Sequence, residues 1–267
     1  MTRTDKEHIG VKHLKSALAA GKIDRRQFLR DSTLLGLSAA AAYAFVGTIT
    51  GKKVLPVARA GTMPKGGTLR IGAAVQPLDK PHTYEWTQPE ITVNVNEYLT
   101  MTGHDNVSRG MLADSWDASE DLRSWTFHIR KGVNWRSGRP FTADDAIWNI
   151  HHILDPKTGS SGLGLFKGYM MNSIDTGKKN KKGKTIFRHE LWDANAIEKV
   201  DDFTFKMNLK QPQLAVPEHL SGWPIQMLDP DEGGEFGPGS NGTGAYDLVE
   251  ILPREKAVLK AVRPHWS

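Results

Sequence analysis

Three patterns in this chain of 267 residues use residue types that could do chemistry. Gly237-Pro-Gly239-Ser-Asn-Gly242 satisfies G-x-G-x-x-G, the glycine loop that lets a backbone approach a pyrophosphate. That chemistry needs a strand before the loop and a helix after it, so that the helix amino terminus meets the phosphates. No clear strand precedes this stretch, Pro238 sits inside it, and it opens into strand-like alternation, so it reads as a plain loop. His151-His152 offers metal-binding side chains, but adjacent helical residues point about 100° apart and share no face. They read as surface histidines. Asp144-Asp145 has the composition of an acid and base pair, yet its place at a helix start explains it as first-turn carboxylates favoured by the helix dipole. No G-x-S-x-G elbow and no H-E-x-x-H occur. With no cysteine, disulfides, thiolate zinc sites, iron–sulfur clusters and covalently attached haem are excluded. No catalytic residue, metal site or cofactor is assigned.

Aromatic residues carry the stronger signal. None of the 8 tryptophans falls within residues 1–60. Trp116, Trp125 and Trp135 occupy hairpin positions and are expected in the core. Tyr84 and Trp86 lie in the non-periodic stretch Pro81-His-Thr-Tyr-Glu-Trp, and Trp223 lies in Ser221-Gly-Trp-Pro224. Loops held by a scaffold concentrate binding residues, and a tryptophan offers a large face with one donor.

The elements that would hold these residues alternate between short strands and helices. Gly66 to Ala73 reads as a strand, and Glu90 to Leu99 as a helix with Ile91, Val95, Tyr98 and Leu99 at helical spacing. Asp114 to Ala118 and Ser124 to Ile129 form a predicted hairpin. Thr142-Ala-Asp-Asp145 has the form of a capping box, opening a helix that carries Ala146, Ile147, Ile150, Ile153 and Leu154 and stops before Asp155-Pro156. A second hairpin is predicted over 197–200 and 203–209, and a strand pair over 245–252 and 256–262. The class is α/β with antiparallel hairpins.

The net charge of +5 would invite a nucleic-acid reading if it were spread evenly. Residues 1–60 hold 11 basic and 4 acidic side chains, whereas residues 61–267 hold 24 and 26. The body needs no acidic partner, and no nucleic acid is expected. The basic stretch Gly177-Lys-Lys-Asn-Lys-Lys-Gly-Lys184 reads as a solvated loop.

Asp24-Arg25-Arg26-Gln27-Phe28-Leu29-Arg30 resembles the twin-arginine export signal. Arg25, Arg26, Phe28 and Leu29 are the residues of the match. An uncharged run of 20 residues from Ser32 to Gly51 follows, and Ala58-Arg59-Ala60 supplies a cleavage site after Ala60. Residues 1–60 are therefore left out of the expected fold. The alternative is an uncleaved membrane anchor, since the run reaches spanning length. Export points to the periplasm or the outer membrane face.

Gly67-Thr-Leu-Arg-Ile-Gly72, Leu112-Ala-Asp-Ser-Trp116, Trp125 to Trp135, Gly138 to Asp145, Asn241-Gly-Thr-Gly-Ala-Tyr246 and Arg263-Pro-His-Trp266 together resemble the bacterial family 5 solute-binding proteins. The resemblance implies a periplasmic-binding-protein-like α/β fold of class II, with two lobes. Residues 61–267 would be the first lobe, a mixed sheet with hairpins, truncated before the second; strands awaiting a returning segment would lie uncovered. It also implies an ABC importer receptor that captures a small solute, oligopeptide first, and delivers it to the membrane permease subunits. Nickel chelates, oligosaccharides and opines remain open. Two other readings also stay open: an exported hydrolase and a lobe-only interaction module. In the family the segments around Tyr84, Trp86, Trp223, Thr243 and Gly244 line the ligand cleft. Ala245, where relatives often have Pro, and the insertion 177–184 depart from the pattern.

Overall fold

Alternate burial along two neighbouring strands builds the centre of the protein. The computed structural model describes residues 7–51, 66–83, 90–262 and 264–267. Helices α1 (Ile9–Ala19), α2 (Arg25–Leu34) and α3 (Ala39–Thr50) come first, followed by β1 (Thr100–Thr102) and β2 (Ser108–Gly110). Next come β3 (Ala113–Ala118), β4 (Ser124–Ile129), α4 (Ala143–Leu154), α5 (Leu163–Met170), β5 (Met171–Lys179) and β6 (Thr185–Leu191). The chain continues through β7 (Ile197–Asp201), β8 (Thr204–Asn208), α6 (Val216–His219), β9 (Tyr246–Leu252) and β10 (Lys256–Ala261).

A four-stranded antiparallel sheet of order β3-β4-β8-β7 carries the main core. In β4 Trp125, Phe127 and Ile129 point inward, and in β8 Phe205 and Met207 do, as period-2 alternation requires. Register sets Phe127 opposite Phe205 and Trp125 opposite Met207. The two phenylalanine rings stack at 5.2 Å. Helix α4 lies against β7 and β8 and buries Ala146, Ile150, Ile153 and Leu154. Its start is fixed by the Asp145 carboxylate, which accepts from the Thr142 backbone N–H at 2.8 Å. Trp116, Trp125 and Trp135 are all core residues.

Both remaining hairpins fall where the sequence places them, β7–β8 and β9–β10. Two expectations need correction. No strand forms over 66–73; Leu69 and Ile71 are 84% and 76% exposed, and the segment has no ladder partner among the described residues. A strand exists only through pairing, so local propensity does not suffice. Residues 90–99 form one 3-10 turn, Thr92–Asn94, rather than a helix. The Val95 carbonyl accepts from Gly244 N, and the Glu97 carbonyl accepts from Met227 N. Tertiary partners therefore take bonds that a helix would have used, and β-branched Thr92, Val93 and Val95 do not favour a helix.

Sequence reading also missed β5–β6, which turns the predicted loop 177–184 into the tip of a two-stranded ribbon.

Residues 7–51, left out of the expected fold, pack as three helices against the body. The Trp116 indole N–H donates to the Leu34 carbonyl at 3.0 Å, and Ser108 N donates to Thr33 Oγ1 at 3.1 Å. Arg30 pairs with Glu218 at 2.8 Å, and Tyr43 donates to Asp105 at 2.6 Å. The uncharged run is interrupted at Gly36, whose φ of 88° follows the end of α2, and Ser38 caps α3. Among the described residues no helix is long and apolar enough to cross a membrane.

Candidate functional site

Segment 92–98 is the strip on which the predicted site loops converge. Gly244 N donates to the Val95 carbonyl at 2.8 Å, and Met227 N donates to the Glu97 carbonyl at 2.8 Å. The loops bearing Thr243–Gly244 and Trp223 are thus tied to one stretch of chain, two residues apart. Gly242 and Gly244 make the approach possible: a Cβ at either would fall well inside contact distance of the Val95 carbonyl. Of the G-x-G-x-x-G glycines, Gly242 therefore serves chain packing, and the stretch is a loop leading into β9, as expected.

Loop 133–139 grips the same region. Arg136 N donates to the Gly242 carbonyl at 3.0 Å, its Nη2 donates to the Gly244 carbonyl at 2.9 Å, and its Nε reaches Asp247 at 2.6 Å. Asn241 Oδ1 accepts from Ser137 N at 2.7 Å. The block 241–246 is therefore held by Arg136 and Ser137, the two residues that join the blocks 125–135 and 138–145.

A buried polar seam runs behind these loops. The carboxylate of Glu97 accepts from the Trp266 indole N–H at 2.7 Å and lies 3.3 Å from His265 Nε2. Burial raises its pKa above the usual carboxylate range; the hydrogen bond from Trp266 and the nearby Thr243 and His265 offset part of that rise. The Arg130 guanidinium covers the Trp266 ring at 5.1 Å. Gln226 Nε2 donates to Thr92 Oγ1 at 2.8 Å, and its carbonyl accepts from His82 Nε2 at 2.7 Å. Asn149, buried on α4, holds Leu228 from both sides, donating to its carbonyl and accepting from its N–H, each at 2.8 Å. Arg139 joins Asp145 and Asp229.

Of the five predicted ligand residues, Thr243 and Trp223 are 3% and 8% exposed, so each offers at most a small edge in this conformation. A cis peptide joins Trp223 to Pro224. Gly244 touches the strip directly. Tyr84 and Trp86 lie outside the described residues; the chain leading to them passes through the turn Pro81–Thr83, whose His82 is anchored in the seam.

The acidic pair behaves as expected, Asp144 meeting Lys199 at 2.6 Å and Asp145 capping α4. The histidine pair is only half as expected. His151 is exposed, whereas His152 is half-buried, stacks on Trp148 at 4.8 Å and approaches His82. Sequence reading missed Glu97, Gln226 and His82. The one signal was a carboxylate set between apolar Val95 and Leu99, which the helix reading absorbed.

At the amino terminus Phe28 and Leu29 are buried against α3 residues. Arg25 and Arg26 line a cavity of about 440 Å³ shared with Asp24, Tyr43, His104 and Asp105.

Comparison with known proteins decides the family. The model of the bacterial extracellular solute-binding proteins, family 5, matches residues 109–267. The chain belongs to that family. It is 30% identical over 228 residues to the periplasmic oligopeptide-binding protein OppA of Escherichia coli, covering 79% of this chain and 40% of that one. It is 27% identical over 180 residues to the dipeptide-binding protein DppE of Bacillus subtilis, covering 65% and 31%. The crystal structure of NikA from Brucella suis in complex with Fe(III)-EDTA superposes with a TM-score of 0.55 at 27% identity, covering 73% of this chain and 35% of that one. The mixed α/β architecture is that of the family's periplasmic binding proteins. The chain spans two fifths or less of the length of these relatives.

Proposed function

We propose that this chain is the first lobe of a substrate-binding component of an ABC importer, capturing oligopeptides in the periplasm and delivering them to the membrane permease subunits. The observation that carries this reading is the family match over 109–267, joined by extended similarity to an oligopeptide-binding protein. The packed, polar strip at 92–98 supports it: a rigid wall with loops bearing Trp223, Thr243 and Gly244 is what a lobe presents to solute, while Tyr84 and Trp86 would complete the same face. Residues 1–60 would be a twin-arginine signal, read through Arg25, Arg26, Phe28 and Leu29.

Solute would enter between two lobes, and hinge closure would create the form that the permease recognises. A small-molecule site encloses most of its ligand, so one lobe alone supplies only part of the contacts. Half of the roughly 8 kcal/mol of a micromolar complex leaves millimolar affinity at best. Calorimetric titration with mixed tripeptides tests this, on the 267-residue chain and on a chain extended to the relatives' length. Micromolar binding by the longer chain alone is expected. Micromolar binding by the shorter chain would refute the one-lobe reading, and failure of the longer chain with peptides but success with nickel chelates or opines would replace the solute.

A further inference from the structure

The β5–β6 ribbon stands apart from the rest of the molecule. Among the described residues its strands pair only with each other, and beyond Met171 and Asn172 every residue of β5 is exposed. Its tip carries Lys178, Lys179, Lys181, Lys182 and Lys184, all exposed, and among the described residues none of the five forms an ion pair. The turn itself is held by the Asn180 side chain, whose Oδ1 accepts from Lys182 N at 2.9 Å and Lys184 N at 3.0 Å. The lysine side chains contribute nothing visible to the fold.

Charge is segregated strongly. Residues 171–191 hold six basic and two acidic side chains, whereas the rest of 61–267 holds eighteen basic and twenty-four acidic. Over the whole chain the remainder holds twenty-nine basic and twenty-eight acidic side chains, close to neutral, so the ribbon is a positive projection that the field of an anionic surface attracts.

Behind the lysines lie apolar side chains that a merely solvated loop would lack. Ile174 and Ile186 are 36% and 42% exposed, and Phe187 is 48% exposed. Ile174 pairs with Arg188, while Phe187 sits opposite Asp175. Side-chain alternation therefore puts Ile174, Ile186 and Arg188 on one face and Phe187 on the other. Arg188 is paired with Glu190 at 3.3 Å.

We infer that this ribbon docks on an anionic lipid surface, lying flat with Ile174 and Ile186 toward the headgroup boundary and the lysine tip among the phosphates. Clustered lysines suit a diffuse sheet of charge, because each is a flexible point charge that needs no fixed geometry. Exposed isoleucines suit a lipid interface, and Phe187, the exposed aromatic of the ribbon, lies on the opposite face from them. The inference rests on the ribbon alone and does not depend on which solute the protein binds.

Cosedimentation of the full chain with vesicles tests it. Vesicles of phosphatidylcholine containing phosphatidylglycerol should bind the protein, pure phosphatidylcholine should not, and salt that shortens the screening length from about 10 Å to about 3 Å should release it. Replacing all five tip lysines with Gln should weaken binding by about tenfold or more. Removing equal charge elsewhere, with Lys12, Lys22, Lys80, Lys157 and Lys260 changed to Gln, should cost far less. The double variant Ile174→Ser, Ile186→Ser should weaken binding about fivefold with the salt dependence kept. Equal loss in the two lysine variants would show that net charge alone governs binding and would overturn the inference. So would unchanged binding by the tip variant, or capture of a DNA oligomer in place of the vesicles.

Discussion

The Nδ1 atoms of His82 and His152 lie 2.8 Å apart, and only one arrangement of protons fits. His82 Nε2 faces the Gln226 carbonyl, which can only accept, so that nitrogen carries the proton. His82 Nδ1 is then bare and accepts, and His152 Nδ1–H donates. The pair links the turn before residue 84 to α4.

A pH dependence follows. Burial pushes the His82 pKa down to about 3, against 6.5 for a free side chain. A histidine whose folded pKa is depressed contributes stability that is full above the unfolded value and is lost as pH falls. Stability should drop below about pH 6.5, by roughly 2–3 kcal/mol at pH 4.5. Burial lowers His152 and His219 as well, so they share the slope. Denaturant melts across this window should show a shallower slope for His82→Gln; an identical slope would mean that His82 titrates normally.

Glu97 is perturbed in the opposite direction. Its carboxyl pKa is raised by burial, so its contribution is present at low pH and is lost as pH rises through the folded value. Glu97→Gln keeps an oxygen for the Trp266 N–H while removing the buried charge. It should raise stability by about 1 kcal/mol near neutrality and leave it unchanged near pH 4. Chemical melts at the two pH values check this; destabilisation near neutrality would show that the His265 contact outweighs the burial cost.

Gly242→Ala should destabilise the protein by roughly 3 kcal/mol, because the added methyl meets the Val95 backbone, which cannot move aside as a side chain could. At Gly239, where nothing lies within 4 Å of an added Cβ, the backbone has a φ of 85°, so Ala there carries conformational strain instead. Thermal melts of the two variants separate a contact penalty from a backbone penalty, since Asn at Gly239 should recover stability and Asn at Gly242 should not.

Arg139 holds two carboxylates that are almost wholly buried, Asp145 at 2.7 Å and Asp229 at 2.5 Å. Arg139→Met leaves both without their cation, and the expected loss is about 3–5 kcal/mol. Adding Asp145→Asn and Asp229→Asn to that variant should restore part of the loss. No recovery would mean that the guanidinium acts mainly by packing on Trp135, whose ring it covers at 5.5 Å.

Replacing Arg25 and Arg26 with Lys keeps the charge and removes the proposed export signal. Precursor should then accumulate in the cytoplasmic fraction. Normal export of the variant would end the twin-arginine reading. Because Phe28 and Leu29 are buried in the packed helices, α2 must leave the body before it can be read.

Local information was enough for the elements whose bonds close nearby. The hairpins β3–β4, β7–β8 and β9–β10 and the capped helix α4 were all legible, because alternation, turn residues and a capping box act within a few positions. The family was legible for the same reason, through short blocks read in order. What only the tertiary structure decided is where a segment's hydrogen bonds go. Residues 90–99 had helical spacing, but distant Gly244 and Met227 took the carbonyls of Val95 and Glu97. Residues 66–73 had strand propensity and, among the described residues, no partner to pair with. His152 met His82, 70 positions away, rather than its neighbour His151. Such contacts depend on long-range chain proximity, which no local pattern of side chains encodes, and the strip beneath the candidate site is built almost entirely from them.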